Sequence, residues 1–433
     1  MAKGWPQAGI ERIGKTKTST AMKNLYLPKG MSLDSMPFTK TKDKEKAARV
    51  LSYMIRWSAL SDEAQTGVQI HSKFLRKIAG GSYTRITRPL VENGIITISK
   101  RYIVGKECKT YSFVHNVTEL DCIKISGNRR RKPKADFPKF LIKHFNKLTI
   151  NEGAMDKEEV KKAIREKKSE IKKGKKAKNM KYVDARYNFS YRTIREKDWL
   201  FSKDENGRVH TNLTSCPRAL RKELRYNGEE LKGIDLKSSQ PTILLCIMKT
   251  GTRECKEERI HKILREEMRC VNIVLWHKLA ELTTRQGFAD FQREIEDGVF
   301  YDAFMEKLPI YHPFKERRDM VKKEILKCFY GRGNERSCIR KHLWEAYPFL
   351  KEAVKLFKPV NQHQRFACLL QKVESHLFID LIATRINREI PEAPIFTIHD
   401  SLYTIEEFKE RVFRIVREES TAFLGFEPHF GYE

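Results

Sequence analysis

Leu231-Lys232-Gly233-Ile234-Asp235-Leu236-Lys237-Ser238-Ser239-Gln240-Pro241 is a short apolar run that carries one acid and closes on Ser-Ser-Gln-Pro. A second run, Pro394-Ile395-Phe396-Thr397-Ile398-His399-Asp400-Ser401-Leu402-Tyr403, is built the same way. Both read as strands, over 231–236 in the first and over 395–398 and 402–405 in the second. A carboxylate at the end of a buried strand loses its water and needs a cation to compensate. A single Asp in such a place is ordinarily a turn or cap residue. Two of them, Asp235 and Asp400, on separate strands can instead converge on divalent metal.

Around these strands, segments 256–306, 315–329, 336–356 and 362–388 carry helical periodicity. From Tyr187 onward a few strands are thus covered by many helices, and the expected class is α+β. Arg318, Lys322, Leu326 and Tyr330 recur every four residues and lie along one gently drifting helix face. Gly331 and Gly333 follow, where the chain can turn away. Two cations one turn apart match a triphosphate. Nucleotidyl transfer needs metal between the triphosphate and the attacking hydroxyl, cations for the leaving pyrophosphate, and a primer end held in line. The two aspartates and the basic helix meet the first two needs, so polymerisation of nucleotides is the expected chemistry.

The chain has 433 residues, room for two to four domains and a substantial core. Its 86 Lys and Arg against 56 Asp and Glu give a net charge of +30, which calls for a polyanionic partner. The nine cysteines are scattered without a Cys-x2-Cys pair, so a zinc finger is not expected and a reducing cytoplasm, that of a bacterial host, is. Met-Ala-Lys-Gly-Trp at the start lacks the apolar core of a signal peptide. No run of 18 uncharged apolar residues occurs, so no membrane span is expected. A monomer is the expected state.

Residues 1–43 read as an extended basic arm. Residues 44–116 read as helix, helix, turn, helix and hairpin. The first helix, 47–60, places Val50, Leu51, Met54, Ile55 and Trp57 on its apolar side. Ser72 caps a short helix with Phe74, Leu75 and Ile78, which Gly80-Gly81 breaks. Ser82 caps the next, 83–92, which stops at Asn93-Gly94. Two β-rich runs follow, 95–99 and 110–114. This order resembles a winged helix, and its third helix and hairpin would offer Thr84, Arg85, Thr87, Arg88, Lys100, Arg101, Lys106 and Lys109 to DNA. Arg129-Arg130-Arg131-Lys132-Pro133-Lys134 reads as a linker. From 157 to 181, eleven Lys and one Arg against four Glu suit either a solvated charged helix or a clamp on a nucleic-acid backbone.

Together these motifs resemble the superfamily of family A (Pol I-like) DNA polymerases and single-subunit phage-type RNA polymerases. Gly-Ile-Asp235-Leu-Lys-Ser-Ser-Gln is similar to motif A. Arg318, Lys322, Leu326, Tyr330 and Gly331 match the spacing of motif B, and His399-Asp400 matches motif C. Asp204-Glu205-Asn206-Gly207-Arg208-Val209-His210 resembles the element whose Arg meets the primer–template minor groove, and Gln371 resembles a template-contacting Gln before motif C. The resemblance covers about 200–433. It implies a right-hand architecture of palm, fingers and thumb, with palm and fingers over 201–433 and thumb-like helices within the basic stretch 117–200. Asp235 and Asp400 would ligate two magnesium ions, with manganese as a substitute, assisted by the Leu236 carbonyl. Arg318 and Lys322 would bind the triphosphate, and Lys322 would protonate pyrophosphate. Tyr330 and Gln240 would contact the nucleotide. Arg208, His399, Gln371 and Gly331 would hold primer and template. Gln240 stands where DNA polymerases of the family carry Glu, and Ser401 follows His399-Asp400 as in the RNA polymerases. The Gly425–Gly431 ending is more Pol I-like. The leading expectation is a compact DNA polymerase of a phage, plasmid or mobile element, using template DNA, a primer–template duplex and nucleoside triphosphates. An RNA polymerase or primase of the same fold is one alternative. A DNA-binding initiator or regulator with a degenerate polymerase body is the other.

Overall fold

The computed structural model describes residues 21–38, 40–60, 67–99, 108–127, 137–173, 182–250, 258–268, 273–331, 337–358 and 364–433. Chain contacts divide it into two compact units. One holds 1–132 and 161–192, the other 133–160 and 193–433.

In the first unit the chain runs β1 (Ala21–Pro28), helix Thr41–Leu60, β2 (Val68–Gln69), helices Ser72–Ala79 and Thr84–Glu92, β3 (Ile96–Ile98), β4 (Thr110–Phe113) and β5 (Leu120–Gly127). Helix Thr41–Leu60 buries Ala47, Val50, Leu51, Met54 and Ile55, a stripe at helical spacing. Trp57 lies at the edge of that stripe, partly exposed, with its ring stacked on Tyr53. Strands β2, β4 and β3 form an antiparallel sheet in that order. Residues 21–28, read from the sequence as part of an arm, form β1 because Leu25, Tyr26 and Leu27 are buried and pair with β5 in full register.

Three local expectations are corrected here. His71, not Ser72, caps the second helix, its Nδ1 accepting from the Lys73 N–H at 3.1 Å. The third helix starts at Thr84 without a side-chain cap, and Ser82 contributes only its carbonyl, to the Arg85 N–H. Thr87 faces the core rather than solvent, whereas Thr84, Arg85 and Arg88 are exposed. Lys100, Arg101 and Lys106 lie outside the described residues. So does 174–181, the end of the basic stretch, whereas Glu158–Lys173 is a helix.

The second unit contains β6 (Leu148–Ile150), β7 (Phe201–Lys203), β8 (Val209–Thr211), β9 (Leu224–Tyr226), β10 (Glu229–Leu236), β11 (Phe396–Ile398), β12 (Ser401–Ile405) and β13 (Phe430–Tyr432). Its main sheet is antiparallel with order β11-β12-β10-β9-β6, and β13 pairs with the end of β10. Strands β10 and β12 run in register from Leu231↔Ile405 to Asp235↔Ser401. Only His399 and Asp400 separate β11 from β12.

Helices cover the sheet, but the segment read as one helical stretch over 256–306 is four: Glu258–Met268, Ile273–Thr283, Phe288–Glu296 and Phe300–Lys307. Gly287 and Gly298, at φ 81° and 71°, take left-handed backbone at two of the breaks. Segment 336–356 divides at Tyr347-Pro348, because a residue before Pro avoids helical geometry. Of segment 362–388, the described part is one run, with a π-helical stretch His376–Ala383 between Gln364–Ser375 and Thr384–Glu389. Phe291, Phe300, Tyr347 and Phe349 pack ring against ring, and the Tyr347 hydroxyl donates to the buried Glu294, which also pairs with the exposed Lys307. That cluster fixes helix Phe300–Lys307, which carries Tyr301 and Asp302.

Candidate active site

The sheet brings the two aspartates together. Asp235 pairs across β10–β12 with Ser401, and the Leu236 N–H donates to the Asp400 carbonyl at 3.1 Å. The Ser401 hydroxyl donates to Asp235 Oδ1. His399, in the two-residue turn, sits at φ 55°, and Ser238, three residues after Asp235, at φ 52°. Non-glycine residues in left-handed backbone are costly and cluster at functional sites. Both aspartates keep some contact with water, yet protein crowds them. Burial raises the Asp235 carboxyl, opposed by the Ser401 hydroxyl and Lys322. Burial, then Glu374, then Asp235 push Asp400 up to about 7, with Lys322 opposing.

Glu374, which the sequence reading did not single out, is the hub of the site. Its side chain is 2% exposed, and it accepts from Arg208 Nη2 at 2.5 Å, Ser239 Oγ at 3.1 Å and Gln240 Nε2. Arg208 and Gln240, expected to touch primer end and nucleotide, thus share one buried carboxylate. Gln371, one turn earlier on the Gln364–Ser375 helix, accepts from Asn206 Nδ2 at 2.8 Å. The Asp204–His210 turn is braced in turn by Asp204, which accepts from the Asn206 and Arg208 N–H groups and lies 2.9 Å from His210 Nε2. His399 packs edge-on against His210 at 5.9 Å. Burial, Arg208 and His210 pull its pKa down to about 4, so the ring is neutral near pH 7.

The basic helix forms as Arg318–Tyr330. Lys322 is exposed, and its field reaches both aspartates. Tyr301, also unforeseen, is buried under the two predicted triphosphate cations. The Arg318 guanidinium lies 5.4 Å and Lys322 Nζ 5.9 Å from its ring centre. Arg318 Nε also donates to Asp302 at 2.9 Å. At the far end, Tyr330 is pushed up by burial and by Glu374, so it stays a neutral phenol beside the carboxylates. Gly331 ends the helix with extended rather than left-handed backbone, and its carbonyl accepts from Lys358 Nζ at 2.7 Å. Gly333 lies outside the described residues.

Oxygen donors are what a hard cation would need here. Glu374 is held by three donors, which leaves Asp235 and Asp400. Among the described residues no group of three or more His, Cys, Asp or Glu forms a metal cluster. Two carboxylates completed by substrate oxygens and water are what magnesium accepts. Glu374 had one sequence signal: an acid among Leu370, Val373 and Leu377, where an apolar helix face permits no unpaired charge. Its pairing with Arg208 and Gln240, more than 130 residues away, had none.

No family model matches the chain, and no curated protein matches it. Among solved structures, the POL domain of Pol1 from M. smegmatis, in complex with DNA primer-template and dNTP, is similar at 13% identity and a TM-score of 0.40. The match covers 63% of this chain and 54% of that one, so the chain spans about half that structure's length. No described helix is long and apolar enough to cross a membrane.

Proposed function

We propose that this chain is a template-dependent nucleotidyltransferase, a DNA polymerase with a palm built on the β11-β12-β10-β9-β6 sheet and fingers around the Arg318–Tyr330 helix. The observation that carries the reading is the placement of Asp235 and Asp400 side by side at one sheet end, within the field of Lys322. Asp235 and Asp400 would hold two magnesium ions, which when bound activate the primer 3′ hydroxyl and neutralise the triphosphate. Lys322 and Arg318 offer positive charge to the phosphates, and Lys322 can give a proton to departing pyrophosphate. Tyr330 offers a neutral ring to the nascent base pair. Glu374 orients Arg208 and Gln240 beside it. The helix–strand order of the first unit, with Arg85 and Arg88 exposed on its third helix, supports a winged helix that binds DNA.

Primer extension tests this. Asp235→Asn and Asp400→Asn should each cut extension on the order of 10³-fold or more, since metal-borne charge stabilisation amounts to several kcal/mol. Primer–template binding should remain. Normal extension by both variants would overturn the reading. Parallel reactions with four dNTPs and four NTPs, with and without primer, separate a DNA polymerase from an RNA polymerase or primase.

A further inference from the structure

Ile310 and Tyr311 break the pattern of the surface. They are 91% and 89% exposed, while the other exposed large apolar side chains among the described residues reach 59% at most. The turn that carries them is braced. Pro309 and Pro313 flank it, the His312 N–H donates to the Pro309 carbonyl at 2.8 Å, and the Phe314 N–H donates to His312 Nδ1 at 3.2 Å. Lys315 Nζ donates to the Glu306 and Leu308 carbonyls at 2.7 and 2.8 Å, tying the turn to the end of helix Phe300–Lys307. An apolar pair on a pinned turn has little freedom to fold back under cover.

The chemistry around the turn selects the partner. Residues 307–323 carry six Lys or Arg against two acids. Lys307 and Arg318 face Glu294 and Asp302, and Lys315 is spent on the turn itself. Arg317 and Lys323 are exposed, and the Arg317 guanidinium lies 6.0 Å from the Phe314 ring, three residues beyond the tip. An exposed aliphatic side chain and an exposed aromatic ring, in a cation-rich segment of a chain of net charge +30, suit a polyanion that presents flat apolar faces. A single nucleic-acid strand is such a polymer. A duplex hides its base faces in the stack.

We propose that Ile310 and Tyr311 form a stacking platform for unpaired nucleobases of a single strand, with adjacent phosphates met by Arg317 and Lys323. This rests on the nucleic-acid partner of the function proposed above, and not on its chemistry.

The test is equilibrium binding of the full chain to a fluorescent single strand, an abasic strand of equal length, and a duplex. Wild type should prefer the base-bearing strand to the abasic one. The double variant Ile310→Ser with Tyr311→Ser should lose about tenfold in affinity for the base-bearing strand. It should bind the abasic strand and the duplex as wild type does, and Tyr311→Phe should bind as wild type throughout. The dependence of log affinity on log salt should be unchanged in the double variant. In Arg317→Gln with Lys323→Gln it should flatten by about 1.4, for two single-strand phosphates. Deoxy and ribo strands, run side by side, decide which strand is preferred. An unchanged preference for bases over abasic sites in the double variant overturns the platform. So does a shift from dimer to monomer in sedimentation without any change in strand binding. Either result leaves the polymerase reading standing wherever Asp235→Asn still abolishes extension.

Discussion

His399 and Asp400 share one two-residue turn, and their surroundings drive them in opposite directions. Asp400 is pushed up to about 7, and His399 is pulled down to about 4. A raised acid holds its proton longer when folded. Its contribution to stability is complete below the ordinary Asp value and is lost as pH rises to about 7. A depressed His contributes fully above its ordinary value and loses that as pH falls toward 4. Between about pH 4 and 6.5 the two slopes oppose each other, each at up to about 1.4 kcal/mol per pH unit. Asp400→Asn should therefore leave a stability that climbs with pH over this window. His399→Asn, which tolerates the left-handed backbone, should leave one that falls. Urea unfolding at several pH values, with chelator present, compares them with wild type, and identical slopes in all three would defeat the argument. Glu374 allows a second test at this scale. Glu374→Ala leaves the part-buried Arg208 guanidinium without this carboxylate and should cost about 3 kcal/mol, the low end for breaking a buried pair. Combining it with Arg208→Ala should cost less than the sum of the single changes, because both break one contact.

Gly233 shows how the paired strands are fitted. A Cβ there would lie 2.6 Å from Cε1 of Tyr403, whose hydroxyl donates to Glu433 at 2.6 Å. Gly233→Ala should thus force β10 and β12 apart and cost about 1–3 kcal/mol in urea unfolding. With Tyr403→Ala in the same chain, the added methyl should cost close to nothing. The strands themselves were legible: apolar runs bounded by Ser-Ser-Gln-Pro and by Pro394 place β10, β11 and β12 within two residues of where they form. The break between β11 and β12 at His399-Asp400 was legible too, but the left-handed backbone of His399 was not, since His-Asp lacks the Gly or Asn that usually announces a positive φ. The breaks at Gly287 and Gly298 stood in the sequence, but apolar periodicity on both sides masked them. The π-helical stretch His376–Ala383 and the three-residue β13 have no local signature. Asp235, Lys322 and Asp400 could be found because each sits in a recognisable local run. Glu374 and Tyr301 could not be assigned, because their meaning comes from partners that only the fold brings near.

At the scale of the whole molecule the net charge of +30 is an instrument for asking which residues meet DNA. Each phosphate neutralised on a duplex releases counterions, and log affinity falls by about 0.9 per unit of log salt. Within the first unit, the two exposed arginines of helix Thr84–Glu92 differ in a way this slope can read. The Arg85 guanidinium donates to Asp43 at 2.5 Å, and that contact holds the Asp43 carboxyl below its ordinary range. Arg88 is 80% exposed, and its one ion pair among the described residues, with Glu92 at 3.7 Å, is the sort of exposed helical pair that contributes little. Arg88→Gln should therefore flatten the salt dependence of duplex binding by about 0.9 and leave thermal stability unchanged. Arg85→Gln should lower thermal stability as well, because Asp43 loses its closer partner and keeps only Lys46 at 3.3 Å among the described residues. Asp235→Asn, in the other unit, should abolish extension and leave the slope as it is. If Arg88→Gln leaves the slope untouched while the Arg317 and Lys323 substitutions flatten binding to single strands, the third helix of the first unit does not sit on the backbone, and the winged-helix reading fails independently of the catalytic one.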